Sequence, residues 1–476
     1  MIDFIIVLFY FSLIMTVALK GKVKADSSAD EYFLSSRNLP WYSIALSTIA
    51  TNIQGYRFLG MMGSAYLFGL AQANLEINAV QGILIGAFIF VPLFLREKIT
   101  TITQFISKRL GQRVALFYSL ANISLFATVT IGAALFWGAY AADLVFGEQL
   151  SFLHSNRIIR IAILIIILGV FSAIYTYLGG LSAVVKTDII QFSVLILGGA
   201  VVCFTAVNQM GGWDQLYIQT PEKMHLHLPA DHPTLPWTHL FGLFLLNINY
   251  WCANQTVMQR ALAAKSVRHA QTGLIAGGLI KYIMAVIIII PGIALYGILG
   301  DNLIEPDMAF PYIVNTYLPV GVKGIILCGL FASLMSTVDS TFNSLATLWS
   351  TDIYSKYINK QAGDKEKIKA GQKAIIFSLG TALIMAFILL KPNRNMVLFA
   401  FIVSLPLNIT LQLFVPEMNY FVRAFWVIII GLLITAIGSK GKLNSLIALF
   451  KPADKLSRNL GWVLLITLVL LHIVFH

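Results

Sequence analysis

In the run ASLMSTVDSTFNS, Ser333, Ser336 and Thr337 stand at i, i+3 and i+4, so a helix there puts three hydroxyls on one face. Asp339 and Ser340 repeat that spacing from Ser336. Two overlapping oxygen clusters result, the donor set of a hard cation rather than of one that takes nitrogen or sulfur. Hydroxyls can satisfy themselves on their own helix, but a carboxylate in apolar surroundings needs a partner. A second acid, Asp188, follows the Gly179–Gly180 turn of YLGGLSAVVKTDIIQ into an apolar run, where it either binds an ion or simply favours a helix dipole.

Arg57, Glu76, Asp188, Lys281 and Asp339 all fall inside predicted spans or at their mouths. Each costs about 2.5–3.5 kcal/mol to place in a membrane helix, so each is a functional candidate; the plain alternative is a structural ion pair such as Glu76 with Lys281. The segment STIATNIQGYRFLGM (47–61) interrupts an apolar run with Thr51, Asn52, Gln54, Gly55, Tyr56 and Arg57. Such a break predicts a discontinuous helix whose freed carbonyls bind a cation and whose second half faces a polar solute; a mere kink is the alternative. In NINYWCANQ (247–255), amides and two aromatics share one apolar span, which suits sugar hydroxyls and the apolar faces of pyranose rings, although interhelical packing would also use them.

These residues sit in a chain of 476 residues that is 58% apolar and 11% charged, far below the roughly 25% charge of a soluble domain. Apolar runs fall near 3–19, 42–63, 66–95, 114–146, 158–177, 182–207, 237–257, 270–299, 321–354, 374–390, 395–415, 422–438 and 460–475. Each suffices to cross a hydrocarbon layer of about 30 Å, and backbone groups deprived of water must bond within their own segment, so the runs are helices. The first run begins with Asp3 where a signal peptide has a basic start, and reads as a retained span. Polar intervals at 208–236, 300–320 and 355–373 are long enough for partial helices outside the bilayer.

The net charge of +12 is topological rather than a sign of nucleic-acid binding, because the basic residues lie in short loops. With the N-terminus outside, the loops 20–40 and 96–113, then Arg260, Lys265 and Arg268, then 355–373 are cytoplasmic, and the acidic 300–320 is external. Simple counting then places Lys440, Lys442, Lys451, Lys455 and Arg458 outside, against the rule; either a span near 395–438 is miscounted or the stretch lies along the interface. Cys203, Cys252 and Cys328 read as small buried hydrophobes. His225, His227, His232 and His239 match no standard zinc spacing and read as a solvated loop. No nucleotide-binding or hydrolytic motif stands in a credible context, so no enzyme is indicated.

The segments DEYFLSSRNLPW, GGLSAVVKTDIIQ, YWCANQTVMQRALAAKS and NSLATLWSTDIY together resemble the sodium/solute symporter family, most closely its sodium/galactose and sodium/glucose branch, over about residues 30–355. The resemblance implies an all-α polytopic membrane protein of about 13 spans, with a LeuT-like core of two inverted five-helix repeats, at 41–207 and 237–415. Residues 1–40 and 416–476 would flank it, and 208–236 would be an external loop. It implies a principal Na⁺ site of the Ala50 and Ile53 carbonyls with Ser333, Ser336 and Thr337. A second site, found in some members, would use Asp188, Ser336, Asp339 and Ser340, with Asp339 standing where those members have a hydroxyl.

For the substrate, the resemblance implies Glu76, Asn247 and Lys281 as hydroxyl partners and Tyr250, with Trp251 beside it, as an aromatic gate. Arg57 stands where the family has Gln or His, and a guanidinium suits a carboxylate. Gln412 and Asn408 are candidates for the contact from the tenth core helix. The expectation is a multi-pass protein of the cytoplasmic membrane importing a hexose with Na⁺; the alternatives are a carboxylate solute (sugar acid, sialic acid or amino acid) and a sensor that binds solute without moving it.

Overall fold

The computed structural model describes residues 2–21, 26–54, 56–390 and 454–475. These form helices α1 Ile2–Lys20, α2 Ala29–Leu34, α3 Trp41–Asn52, α4 Tyr56–Phe68, α5 Asn74–Ile77, α6 Ala79–Ile85, α7 Val91–Arg96, α8 Ile102–Leu110, α9 Gln112–Leu125 and α10 Ile131–Phe146. There follow α11 Arg157–Gln209, α12 Trp213–Gln219, α13 His239–Ile248, α14 Gln255–Leu262, α15 Val267–Leu299, α16 Ala309–Tyr317, α17 Val322–Leu348, α18 Asp364–Leu390 and α19 Lys455–Val474. No strand forms among the described residues. Seven helical stretches there are long and apolar enough to cross a membrane. The predicted runs at 395–415 and 422–438, with Asn408, Gln412, Lys440, Lys442 and Lys451, lie outside the described residues.

Two breaks position the chemistry. At the first, α3 stops at Asn52 and Ile53 is extended (φ −89°, ψ 105°), so the chain between α3 and α4 leaves carbonyls free of helical partners. At the second, the 53-residue α11 would be about 80 Å long if straight, well over twice the hydrocarbon thickness. It turns at Gly180 (φ 54°, ψ −148°), as the Gly–Gly pair predicted, and becomes two spans. The left-handed φ asks for glycine, and so does space: a Cβ at Gly180 would press into the Tyr32 carbonyl. Tyr32 in turn donates its hydroxyl to the Tyr177 carbonyl (2.9 Å), pinning α2 under the turn.

Burial sorts the spans into core and periphery. The apolar window of the stretch Val322–Ile358, which contains α17, is 94% buried, against 17% for α1 and 22% for α19, so the helix carrying the hydroxyl face is shielded from lipid by its neighbours. The outer helices still do structural work. Asp3 Oδ1 accepts from the backbone N–H groups of Gly321 (2.8 Å) and Gly324 (2.7 Å), so a side chain from α1 caps the start of α17.

The orientation of α19 settles the misfit left by counting. Asp454, its N-cap, pairs with Arg268 at 2.7 Å on the face assigned to the cytoplasm. At its other end the Phe475 carbonyl accepts from Leu226 N–H (2.5 Å) in the external loop. Lys455 and Arg458 therefore lie on the same face as Arg268, the face that the loop charges assign to the cytoplasm.

Candidate functional site

The hydroxyl face of α17 meets the break after α3. Ser333 Oγ donates to the Ile53 carbonyl at 2.6 Å, and Thr337 Oγ1 to the Thr51 carbonyl at 3.2 Å. Ala50 and Ile53 are buried beside them. Ser336, expected in the same ligand set, instead donates to Asp188 Oδ1 at 2.5 Å. The helical spacing thus brings Ser333 and Thr337 to the break and turns Ser336 toward α11.

Asp188 is wholly buried and stands more than a turn past the Gly180 break, beyond the first turn in which a carboxylate merely favours a helix dipole. It also accepts from Ser47 Oγ (2.5 Å) and pairs with Arg260 (3.3 Å). Arg260 is fully buried too. Its guanidinium donates to Ser47 (3.0 Å), Thr51 Oγ1 (2.9 Å), the Thr256 carbonyl (2.5 Å) and Ser340 Oγ. Asp339 accepts from Tyr175 (2.5 Å) and Ser340 (3.2 Å). Two carboxylates and one guanidinium thus share a buried cluster in which every member is hydrogen-bonded.

Arg260 corrects the sequence reading, which put it in a cytoplasmic loop; the chain breaks at the extended Asn254 (φ −74°, ψ 121°), which caps a separate helix, α14, all eight residues of which are buried. Tyr175 and Ser47 were also missed. The available signal was that Gln259 and Arg260 fall inside one of the segments that carry the family resemblance.

On the other side of the break lies a cavity of about 360 Å³, within the usual range for small-ligand sites. Its wall includes Asn52, Arg57, Asn247, Tyr250, Trp251 and Lys281. Glu76 is completely buried behind the wall and accepts from both Arg57 and Lys281. The anticipated Glu76–Lys281 pair exists, then, but as part of a triad, and Glu76 holds the two cations rather than facing the cavity. Lys281 also donates to Asn52 Oδ1, and its Nζ sits 5.8 Å from the Trp251 ring centre. Tyr250 and Trp251 meet edge to face at 5.3 Å on a π-helical turn, Asn249–Ala253, which turns consecutive side chains toward the cavity. Asn247 is 7% exposed and its Nδ2 has no hydrogen-bond partner.

The four loop histidines do not share one fate. His239 is buried, and His227 contacts His472 of α19 at 3.0 Å, so the loop is partly docked rather than wholly solvated. The three cysteines are buried and free.

The profile of the Sodium:solute symporter family matches residues 32–447, and the chain belongs to that family. Its members are sodium-coupled secondary transporters of the cell membrane, not enzymes. Among curated relatives, the chain is 33% identical to the sodium/glucose cotransporter of Vibrio parahaemolyticus, over 81% of this chain and 74% of that one. It is 28% identical to sodium/glucose cotransporter 4 of Mus musculus, over 91% of this chain and 68% of that one. A solved structure described as a substrate-bound, outward-open state of a Na⁺-coupled sialic acid symporter superposes with a TM-score of 0.78. That likeness, at 20% identity over 92% of this chain and 98% of the other, establishes the fold as all-α and LeuT-like.

Proposed function

We propose that this symporter imports a monosaccharide together with Na⁺ across the cytoplasmic membrane by alternating access, using the repeats 41–207 and 237–415 as its moving halves. The observation that carries the reading is the break at Ile53–Gln54. On one side its carbonyls receive Ser333 and Thr337; on the other, the adjacent Asn52 receives Lys281 at the cavity wall. An ion held by the Ala50 and Ile53 carbonyls with Ser333, Ser336 and Thr337 would fix the backbone that carries Asn52, and so order the solute site. The second set of Asp188, Ser336, Asp339 and Ser340 gathers carboxylate and hydroxyl oxygens around Arg260, the donor set of a hard cation. Each Na⁺ moved through 100 mV supplies about 2.3 kcal/mol, before any concentration term. Asn247 and Asn249 suit hydroxyls, and Tyr250 and Trp251 suit a ring face.

The test is uptake of labelled neutral and acidic monosaccharides into proteoliposomes under an inward Na⁺ gradient. Accumulation should vanish when K⁺ replaces Na⁺. The double variant Ser333→Ala, Thr337→Ala should raise the half-saturating Na⁺ concentration roughly tenfold or more, since contacts to a charge contribute about 1.5–3 kcal/mol each. Uptake and binding indifferent to Na⁺, in the wild type and in the variant alike, would refute the reading.

A further inference from the structure

Asp339 turns its two carboxylate oxygens into different surroundings. Oδ1 accepts from Ser340, whose Oγ also takes a hydrogen bond from Arg260. Oδ2 accepts from Tyr175 on the first half of α11 (2.5 Å). On that side the amide of Gln191, from the second half of α11, is in electrostatic contact with both the Tyr175 and the Tyr10 hydroxyls. Tyr10 comes from α1 and interacts with the Asp339 carboxylate as well. Asn343 follows Asp339 by four residues on α17, so the two share a helix face. A helical side chain leans back over the turn before it, which carries the Asn343 amide toward Asp339.

The Tyr175 side of Asp339 holds hydrogen-bonding capacity that the protein does not use. Both amide atoms of Gln191, both of Asn343 and the Tyr10 hydroxyl are buried without a hydrogen-bond partner, on residues that are 1%, 0% and 4% exposed. Folded interiors seldom leave one such group unmatched, and here side chains from α1, α11 and α17 do so around one carboxylate. A carboxylate, two amide carbonyls and tyrosine hydroxyls are the donor set of a hard cation. The Ser340 side suits that ion less well. There the Arg260 guanidinium is bonded to the hydroxyl that the ion would use, and like charges so close repel strongly in a buried site.

We infer that the second Na⁺ sits on the Tyr175 side of Asp339, held by Asp339, Gln191 and Asn343, with Tyr10 completing its shell. The inference rests on the reading that Asp339 belongs to a second sodium set; it shifts the ion away from Arg260 and adds ligands from outside that set. Asp188 keeps its bonds to Ser47, Ser336 and Arg260. The ion ties α1 to both halves of α11 and to α17, so α1 is part of the ion machinery and not only packing around it.

The experiment measures equilibrium binding of radiolabelled Na⁺ to the purified full chain without solute, so the identity of the substrate does not enter. The wild type should bind two Na⁺ per chain. Gln191→Leu and Asn343→Leu should each weaken the second ion about tenfold or abolish its binding, while the first keeps its wild-type affinity. Neither substitution removes a hydrogen bond from the fold, so loss of the ion with an unchanged sodium-free melting temperature marks a ligand and not a structural part. Tyr10→Phe should weaken the second ion alone, and Asn343→Asp, which keeps an oxygen in place, should retain it. Two Na⁺ bound with wild-type affinity in both leucine variants overturns the inference and leaves sodium symport standing, as does a wild type that binds only one. A wild type that binds none sinks the underlying reading, and this inference with it. Should both leucine variants fail to fold, Tyr10→Phe decides: an unchanged second affinity overturns the inference, and a weakened one beside an unchanged first supports it.

Discussion

Arg260 donates to Ser47, Thr51, Thr256, Asp188 and Ser340, so one guanidinium ties α3, α11, α14 and α17 together in the middle of the protein. Removing it leaves Asp188 and Asp339 buried with no basic partner among the described residues, a change of the kind that costs about 3–5 kcal/mol. Arg260→Met should therefore lower the thermal unfolding midpoint in detergent sharply, and adding Asp188→Asn should recover part of the loss because a buried charge goes with it. Equal stability of Arg260→Met and wild type would show that the guanidinium neutralises nothing. The sequence made Ser333, Thr337, Asp188 and Lys281 legible because charge and hydroxyl periodicity inside apolar runs are local signals. Arg260 was not legible, since its partners lie on other helices as far as 213 residues away and its own run had already turned polar. The placement of Glu76 behind Arg57 and Lys281 was hidden for the same reason: sequence lists an acid and two bases but not which of them faces the cavity.

At the scale of helices, both breaks could be read in advance, one from a polar interruption and one from paired glycines, because each breaks the pattern that keeps a span continuous. What could not be read is how closely the pieces pack. Gly180→Ala forces a side chain into a backbone conformation that is nearly glycine-only, at about 1–3 kcal/mol, and against the Tyr32 carbonyl as well. We expect a lowered melting temperature and easier proteolysis between α1 and α3; Gly179→Ala avoids the backbone strain, since Gly179 is not at positive φ, but its Cβ would press on that of Ala183. Unchanged stability in Gly180→Ala would mean that the turn relaxes without it. Gly82 sets a similar limit beside the cavity, where a Cβ would meet the Asn247 carbonyl and the Trp251 ring. Outside the membrane, the N-terminal cap of α19 is the carboxylate of Asp454. The backbone N–H of Ser457 and Arg268 hold it below the ordinary carboxylate range, so the cap is present above that range and fades as pH falls through the depressed value.

For the molecule as a whole, the alternation of basic and acidic loops gave a topology that the described helices follow up to the start of α18. Counting fails for Lys455 and Arg458 for a physical reason: each added or missed crossing inverts every later loop, so a single slip before them reverses their side. The tertiary contacts of α19 with Arg268 and Leu226 restore it. Orientation is checked with a membrane-impermeant maleimide on intact cells. Ile304→Cys, at a residue 96% exposed in the external loop, should label at once, whereas Lys455→Cys should label only after permeabilisation. The native cysteines are buried and should contribute little background. Labelling of Lys455→Cys from outside would reverse the assignment of the last helix.

The contact of Asp3 with Gly321 and Gly324 bears on attempts to trim this carrier to its two repeats. Discarding the leading helix as dispensable packing would also strip the clamp from the helix that bears Ser333 and Thr337. The loss has no simple local repair, because Gly321 lacks a side chain and its φ of +89° resists a replacement that has one. A shortened version would begin the helix proposed to hold the ion with two bare amides, and we expect its sodium affinity to fall although the deletion lies far from the proposed site.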